Sequence, residues 1–229
     1  IGPSSRPEPL VSALISQNLG AGRGPDVLVE APQLMIQNGG QIVANTYSSA
    51  PSGNLSINAS EFVQVDGFSS VSEDIPSSVT TGALGEGRSG SFSVNAGDVR
   101  VSNGAQIGAI AGAGTPGSVE ITARNITVDG SLPTLLKPSF LGIATAGRGD
   151  SGQLSIDTGT LRVLEGGGVG TTSVGSGDAG DTIIRADDFI EVSGLFPGAL
   201  NTSSIDSSVT LINPITQILL RLAPTTPLV

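Results

Sequence analysis

From Gly90 the chain alternates strictly: Phe92, Val94 and Ala96 are apolar, while Ser91, Ser93 and Asn95 are polar. After Gly97-Asp98 the alternation resumes with Val99 and Val101, and Asn103-Gly104 closes the stretch. Period-two alternation bounded by turn residues predicts two short strands, each with one apolar face, joined by a tight corner. The same text recurs along the chain. One unit carries Val27, Val29, Ala31, Leu34 and Ile36, and the next Leu55, Ile57, Ala59, Val63 and Val65. Beyond Gly90 come Val119, Ile121, Ala123, Ile126 and Val128, then Leu154, Ile156, Thr158, Leu161 and Val163. The last unit holds Ile184, Ala186, Phe189 or Ile190, and Val192.

The units open at positions 25, 53, 90, 117, 152 and 180, so successive spacings are 28, 37, 27, 35 and 28 residues. Short and long units alternate, and the true period is a pair. A fixed period in this range means stacked units, none of which buries its apolar face alone. A third strand is expected in each unit, over 42–46, 79–83, 107–111, 140–145, 169–173 and 200–205. No helical spacing separates the strands. The expected fold is therefore all-β: a parallel β-helix solenoid of about six coils, with three short strands per coil. At ~4.8 Å between paired strands, such a stack spans roughly 29 Å. Residues 1–23 read as an N-terminal segment ending an incomplete coil, 24–209 as the repeats, and 210–229 as a cap or inter-subunit segment.

Long units carry an insertion between the second and third strands: Phe68 to Ser78, Ser131 to Ser139 and Leu195 to Ala199. Stacked in register, these insertions emerge on one side and form a ridge. Its apolar residues, Phe68, Ile75, Leu132, Leu135, Leu136, Leu195 and Phe196, are the candidate interaction surface. Short units instead turn at once on Asn-Gly or Glu-Gly, residue types that tight corners favour. In the tail, Asn213 and Pro214 suit the start of a helix. Ile215, Ile218, Leu219 and Leu222 follow with helical spacing. They predict a short amphipathic helix over the last coil, or an extended strand that pairs with another copy.

Composition narrows the chemistry. The chain has 229 residues, a net charge of −10, one lysine, and neither Cys nor His. That balance argues against nucleic acid and anionic membranes, which need basic patches. Without Cys there is no disulfide or thiolate site, and without His no Ser-His-Asp triad. No apolar run reaches the ~18–20 residues of a membrane helix. Nothing in the sequence calls for a cofactor or a metal.

Several motifs have structural readings. Gly85-x-Gly87-x-x-Gly90 fits a dinucleotide fingerprint, but so do the stretches opening at Gly112, Gly147 and Gly175. Four copies at unit boundaries read as turns needing positive φ and close backbone approach. Arg148-Gly149-Asp150 spells a cell-attachment tripeptide within one of those turns. Glu73-Asp74 and Asp187-Asp188 are the acidic pairs, and catalysis on such a scaffold needs several acids converging from adjacent coils.

The stretches Ser52-Gly53-Asn54-Leu55-Ser56-Ile57-Asn58-Ala59 and Val101-Ser102-Asn103-Gly104-Ala105-Gln106-Ile107 carry a family resemblance. Over residues 20–205 the text resembles filamentous-haemagglutinin-type exoproteins, the large cyanobacterial ones above all. That resemblance implies a right-handed parallel β-helix, export by a two-partner pathway through an outer-membrane partner, and a role in adhesion or surface structure. The family's Asn-Pro-Asn-Gly secretion motif is absent, so the resemblance implies a passenger segment. The expectation is a non-enzymatic structural or adhesive segment, extracellular or at the cell surface. Its expected partners are other copies stacked end to end, or cell-surface glycans. The alternatives are a carbohydrate-active enzyme or a glycan-binding module on the same scaffold.

Overall fold

The structure, a computed structural model, describes residues 12–132, 137–147, 149–195 and 202–209, with the side chains of 131 and 132 left aside. In chain order its strands are β1 (Ala13–Asn18), β2 (Val27–Gln37), β3 (Gln41–Thr46), β4 (Leu55–Asp66), β5 (Phe68–Ser69), β6 (Ser72–Pro76) and β7 (Ser78–Ala83). They continue with β8 (Phe92–Ser102), β9 (Gln106–Ala111), β10 (Val119–Asp129), β11 (Ser131–Leu132), β12 (Lys137–Pro138) and β13 (Phe140–Thr145). The last four are β14 (Leu154–Leu164), β15 (Gly168–Ser173), β16 (Thr182–Ser193) and β17 (Ser204–Val209). No helix occurs among the described residues.

Two parallel sheets hold nearly all of these strands. The long strands form a six-stranded sheet in the order β16-β14-β10-β8-β4-β2. The short strands form a seven-stranded sheet in the order β1-β3-β7-β9-β13-β15-β17. Each strand pairs with its counterpart in the neighbouring unit, so Val94 lies between Ile57 and Ile121. The chain passes from one sheet to the other and back once per unit. The core fills the space between: Leu55, Ile57, Phe92, Ile121, Ile126 and Leu161 face Ile107, Leu141, Ile143 and Val169. Small columns such as Ala59-Ala96-Ala123 sit among the larger ones.

Three expectations change. The first two strands of each unit are one continuous strand, so a unit holds two main strands instead of three. Gly97-Asp98 bends β8 without interrupting it. The inward positions Ala96 and Val99 are three apart, and this odd step re-aims the second arm so that both arms face the core. Parallel pairing continues on both sides, from Ala96 opposite Ala123 to Asp98 opposite Asn125. In β4 and β16 the bend carries one extra residue, and the register shifts there against β2 and β14.

Next, the last short strand runs over Ser204–Val209 rather than 200–205, because Ser204 pairs with Gly168. Finally, the boundary glycines Gly90, Gly117, Gly152 and Gly180 are not at positive φ. They are required by close approach. A Cβ on Gly117 would run into the carbonyl of Gly90, one on Gly152 into that of Gly117, and one on Gly180 into that of Gly152.

The tight-corner expectation holds. Asn38-Gly39, Asn103-Gly104 and Glu165-Gly166 take positive φ at both residues, with 54° and 78° at the first pair. The tail residues Ile215, Ile218, Leu219 and Leu222, and the expected capping helix, lie outside the described residues.

Candidate interaction surface

The insertions leave the stack at equivalent positions. Gly67, Gly130 and Gly194 each follow a long strand and take positive φ, at 70°, 77° and 89°. Each insertion is closed at its neck by a serine. The Ser77 N–H donates to Gly67 O at 2.8 Å, that of Ser139 to Gly130 O at 2.9 Å, and that of Ser203 to Gly194 O at 3.2 Å.

The same serines bind the preceding unit. Their hydroxyls accept the backbone N–H of Gly39, Gly104 and Gly166 at 3.0, 2.9 and 2.9 Å. Ser139 and Ser203 also donate, each at 2.6 Å, to the carbonyls of Asp129 and Ser193. Each long unit thereby secures the tight corner of its short neighbour. No sequence argument singled out these serines. Their recurrence after every insertion was the available signal.

Above the necks, the first two insertions are antiparallel hairpins, β5 with β6 and β11 with β12. Lys137 Nζ lies 3.4 Å from Asp74 Oδ1, so the two hairpins touch although a short unit separates them in sequence. Phe68 and Ile75 are half-buried, and Leu195 is half exposed. The backbone of Leu132 lies in β11, while Leu135, Leu136 and Phe196 fall outside the described residues. The most exposed apolar side chain of the first hairpin is Val71, at 75%, which the sequence reading left out.

No protein family, curated protein or solved structure matches this chain. Its chemistry therefore has to be read from its own geometry.

The acidic pairs are kept apart. Asp74 sits on β6 of the first hairpin, whereas Asp187-Asp188 is the extra-residue bend of β16. Among the described residues no group of three or more metal-binding side chains assembles. Arg148 lies outside the described residues. Asp150, its neighbour in the tripeptide, accepts the N–H of Asp178 at 3.1 Å, a bond between stacked turns. Asp26 does the same at an earlier boundary, accepting the N–H of Asn54 at 2.7 Å and Arg23 Nη2 at 2.5 Å. The Asn54 amide first, then Arg23, hold the Asp26 carboxyl below its ordinary range.

Proposed function

We propose that this chain is a right-handed parallel β-helix segment of about six coils, of the filamentous-haemagglutinin type, acting as a non-enzymatic extracellular scaffold. Its role is to hold the ridge of insertions rigidly against a surface partner. The handedness, the outer-membrane export partner and the cell-surface setting rest on the resemblance of its repeats. The observation that carries the functional reading is the common neck. Insertions of different sequence leave from one structural position, closed by the same serine-to-glycine bond. A scaffold that keeps its base constant and varies its tips is built to present those tips.

Short units show that the stack does not need the insertions, since Asn103-Gly104 makes the same connection directly. This defines the test. Residues 67–77 are replaced by Asn-Gly-Ala, copying the corner at 103–105, and adhesion of the purified protein to cell surfaces is measured. The reading expects an intact circular-dichroism spectrum with adhesion lost. Full adhesion by the shortened protein, with the second and third insertions shortened likewise, sinks it.

End-to-end assembly is part of the same proposal. Among the described residues β2 and β16 are paired on one side only. The core-facing Ile190 and Val192 of β16 are 47% and 45% exposed, whereas their partners Leu161 and Val163 are fully buried. An unpaired parallel edge beside open core positions accepts another strand of the same register.

A further inference from the structure

The two sheets do not end level. At one end the short strand β1 lies beyond β3, and among the described residues no long strand stands level with it. At the other end β16 and β17 finish the last unit together. The neck bonds show which kind of unit β1 belongs to. The Ser12 carbonyl accepts the Gln41 N–H at 2.9 Å. The Ser77 carbonyl accepts that of Gln106 at 3.0 Å in the same way, and the Ser139 carbonyl that of Gly168 at 2.9 Å. Ser12 therefore holds the position of the neck serines, and β1 is the short strand of a long unit, equivalent to β7, β13 and β17.

This equivalence constrains how copies join. Long and short units alternate, so a long unit is followed by a short one. If β17 pairs with β1 of the next copy, two long units meet. A slot one strand wide then separates β16 from β2 of the next copy, at ~9.6 Å against ~4.8 Å for paired strands. The inward apolar residues of both strands stay open to that slot. If β16 instead pairs directly with β2, the alternation continues across the junction. In that case β17 and the next copy's β1 compete for one place beside β3.

The pairing of β4 shows that the direct junction fits. β4 and β16 share a plan, with one extra residue at the bend followed by Phe62 or Phe189. β4 pairs with β8, a strand of 11 residues like β2. Carrying that register over sets Ile184 beside Val29, Ala186 beside Ala31, Ile190 beside Leu34 and Val192 beside Ile36. Each of these inward positions gains an apolar partner. On the outer face Ile183 meets Leu28, which is 60% exposed in the single chain. Arg185 then lies between Asp157, 3.7 Å away in its own chain, and Glu30 of the next copy. Complementary charge at the junction favours this register.

We propose that copies join by strand exchange: β16 pairs with β2 of the next copy, and β17 displaces that copy's β1 from the side of β3. The exchange rests on the assembly reading above and names its junction. β1 is the strand that gives way. β17 is tied to its own unit by the Ser203 hydroxyl, which accepts the Gly166 N–H and donates to the Ser193 carbonyl. Ser207 adds a bond to Thr171. Ser12 makes no such hydroxyl bond to another described residue, and the core-facing Leu14 of β1 is 46% exposed. The exchange trades one short-strand pairing for another and adds a long-strand pairing.

The chain has no cysteine, so engineered pairs report the junction without background. Within one copy β2 and β16 lie five strand spacings apart, ~24 Å, so a bond between them joins two copies. A disulfide needs Cα atoms within about 7 Å. Full chains carrying Leu28→Cys with Ile183→Cys are expected to form disulfide-linked oligomers on mild oxidation. Gln41→Cys with Ser204→Cys is expected to do the same, because β17 then stands beside β3. Ile15→Cys with Asp206→Cys, which meet only when β1 pairs with β17, is expected to remain unlinked. Glu30→Arg or Arg185→Glu alone should raise the concentration needed for fibres several-fold, and the two together should lower it again. Circular-dichroism melting checks that each variant folds. The exchange is overturned if the Ile15 and Asp206 positions link, if either of the other pairs does not, or if the double charge reversal assembles no better than the single ones. Any of these results with fibres still formed by the parent leaves assembly standing. Isolated parent rods at every concentration, with no pair linked, defeat both.

Discussion

Ser139 shows how much of this fold rests on single polar atoms. Its hydroxyl accepts from Gly104 N–H and donates to the Asp129 carbonyl, and the residue is fully buried. Ser139→Ala strands a buried N–H, so it is expected to cost about 1–3 kcal/mol in urea unfolding. Glycine positions separate in the same way. Gly117→Ala drives a methyl into the Gly90 carbonyl and is expected to destabilise by at least about 1–3 kcal/mol. Gly22→Ala meets nothing within 4 Å and is expected to be neutral or slightly stabilising in the same assay. The Asp26 carboxyl is lowered in the folded chain, so its contribution is fully present above the unfolded value of about 4. That contribution disappears as pH falls through the lower folded value. Melting of Asp26→Ala should therefore trail the parent at neutral pH, and the two curves should converge in acid.

At the scale of the strand, pairing register outweighs local pattern. The alternation at 200–205 reads as a strand, yet Ser203 closes the third neck and pairing begins at Ser204. The contest is decided by the neighbouring strand, because Ile205 must stand beside Val169. The bend at Gly97-Asp98 reads as a break for a related reason. Alternation loses phase there, and a phase slip looks like a turn until the flanking strands are seen to keep pairing through it. Central strands are also where proline is least tolerated. Val94 is buried and paired on both sides, so Val94→Pro removes a ladder donor as well as a side chain. Its melting temperature should fall well below that of Val94→Ala, and equal values would contradict the strand pairing described here.

Over the whole molecule, strand pairing joins each unit only to its neighbours, and the Lys137–Asp74 contact between the first two hairpins is an exposed ion pair of small weight, so stability is close to a sum of unit and interface terms. Inner strands have two partners and outer ones a single partner among the described residues. Hydrogen exchange should therefore be slowest in β8 and β10 and fastest in β2 and β16. A uniform profile would mean that the edges are covered. Negative-stain microscopy over a range of concentrations checks assembly: end-to-end growth yields fibres that lengthen with concentration, and isolated rods at every concentration rule it out.

The paired period, the all-β class, the tight corners at Asn38-Gly39, Asn103-Gly104 and Glu165-Gly166, and the inward residues were all legible in the chain. They depend on local physics, namely period-two alternation and the few residue types that accept positive φ. The fused long strand, the start of β17, the close-packed glycines and the serine necks were not legible. Each depends on which residue, 27 to 38 positions away, is brought alongside at the strand spacing. Ser139 is one serine among many until the Gly104 N–H is placed on its hydroxyl.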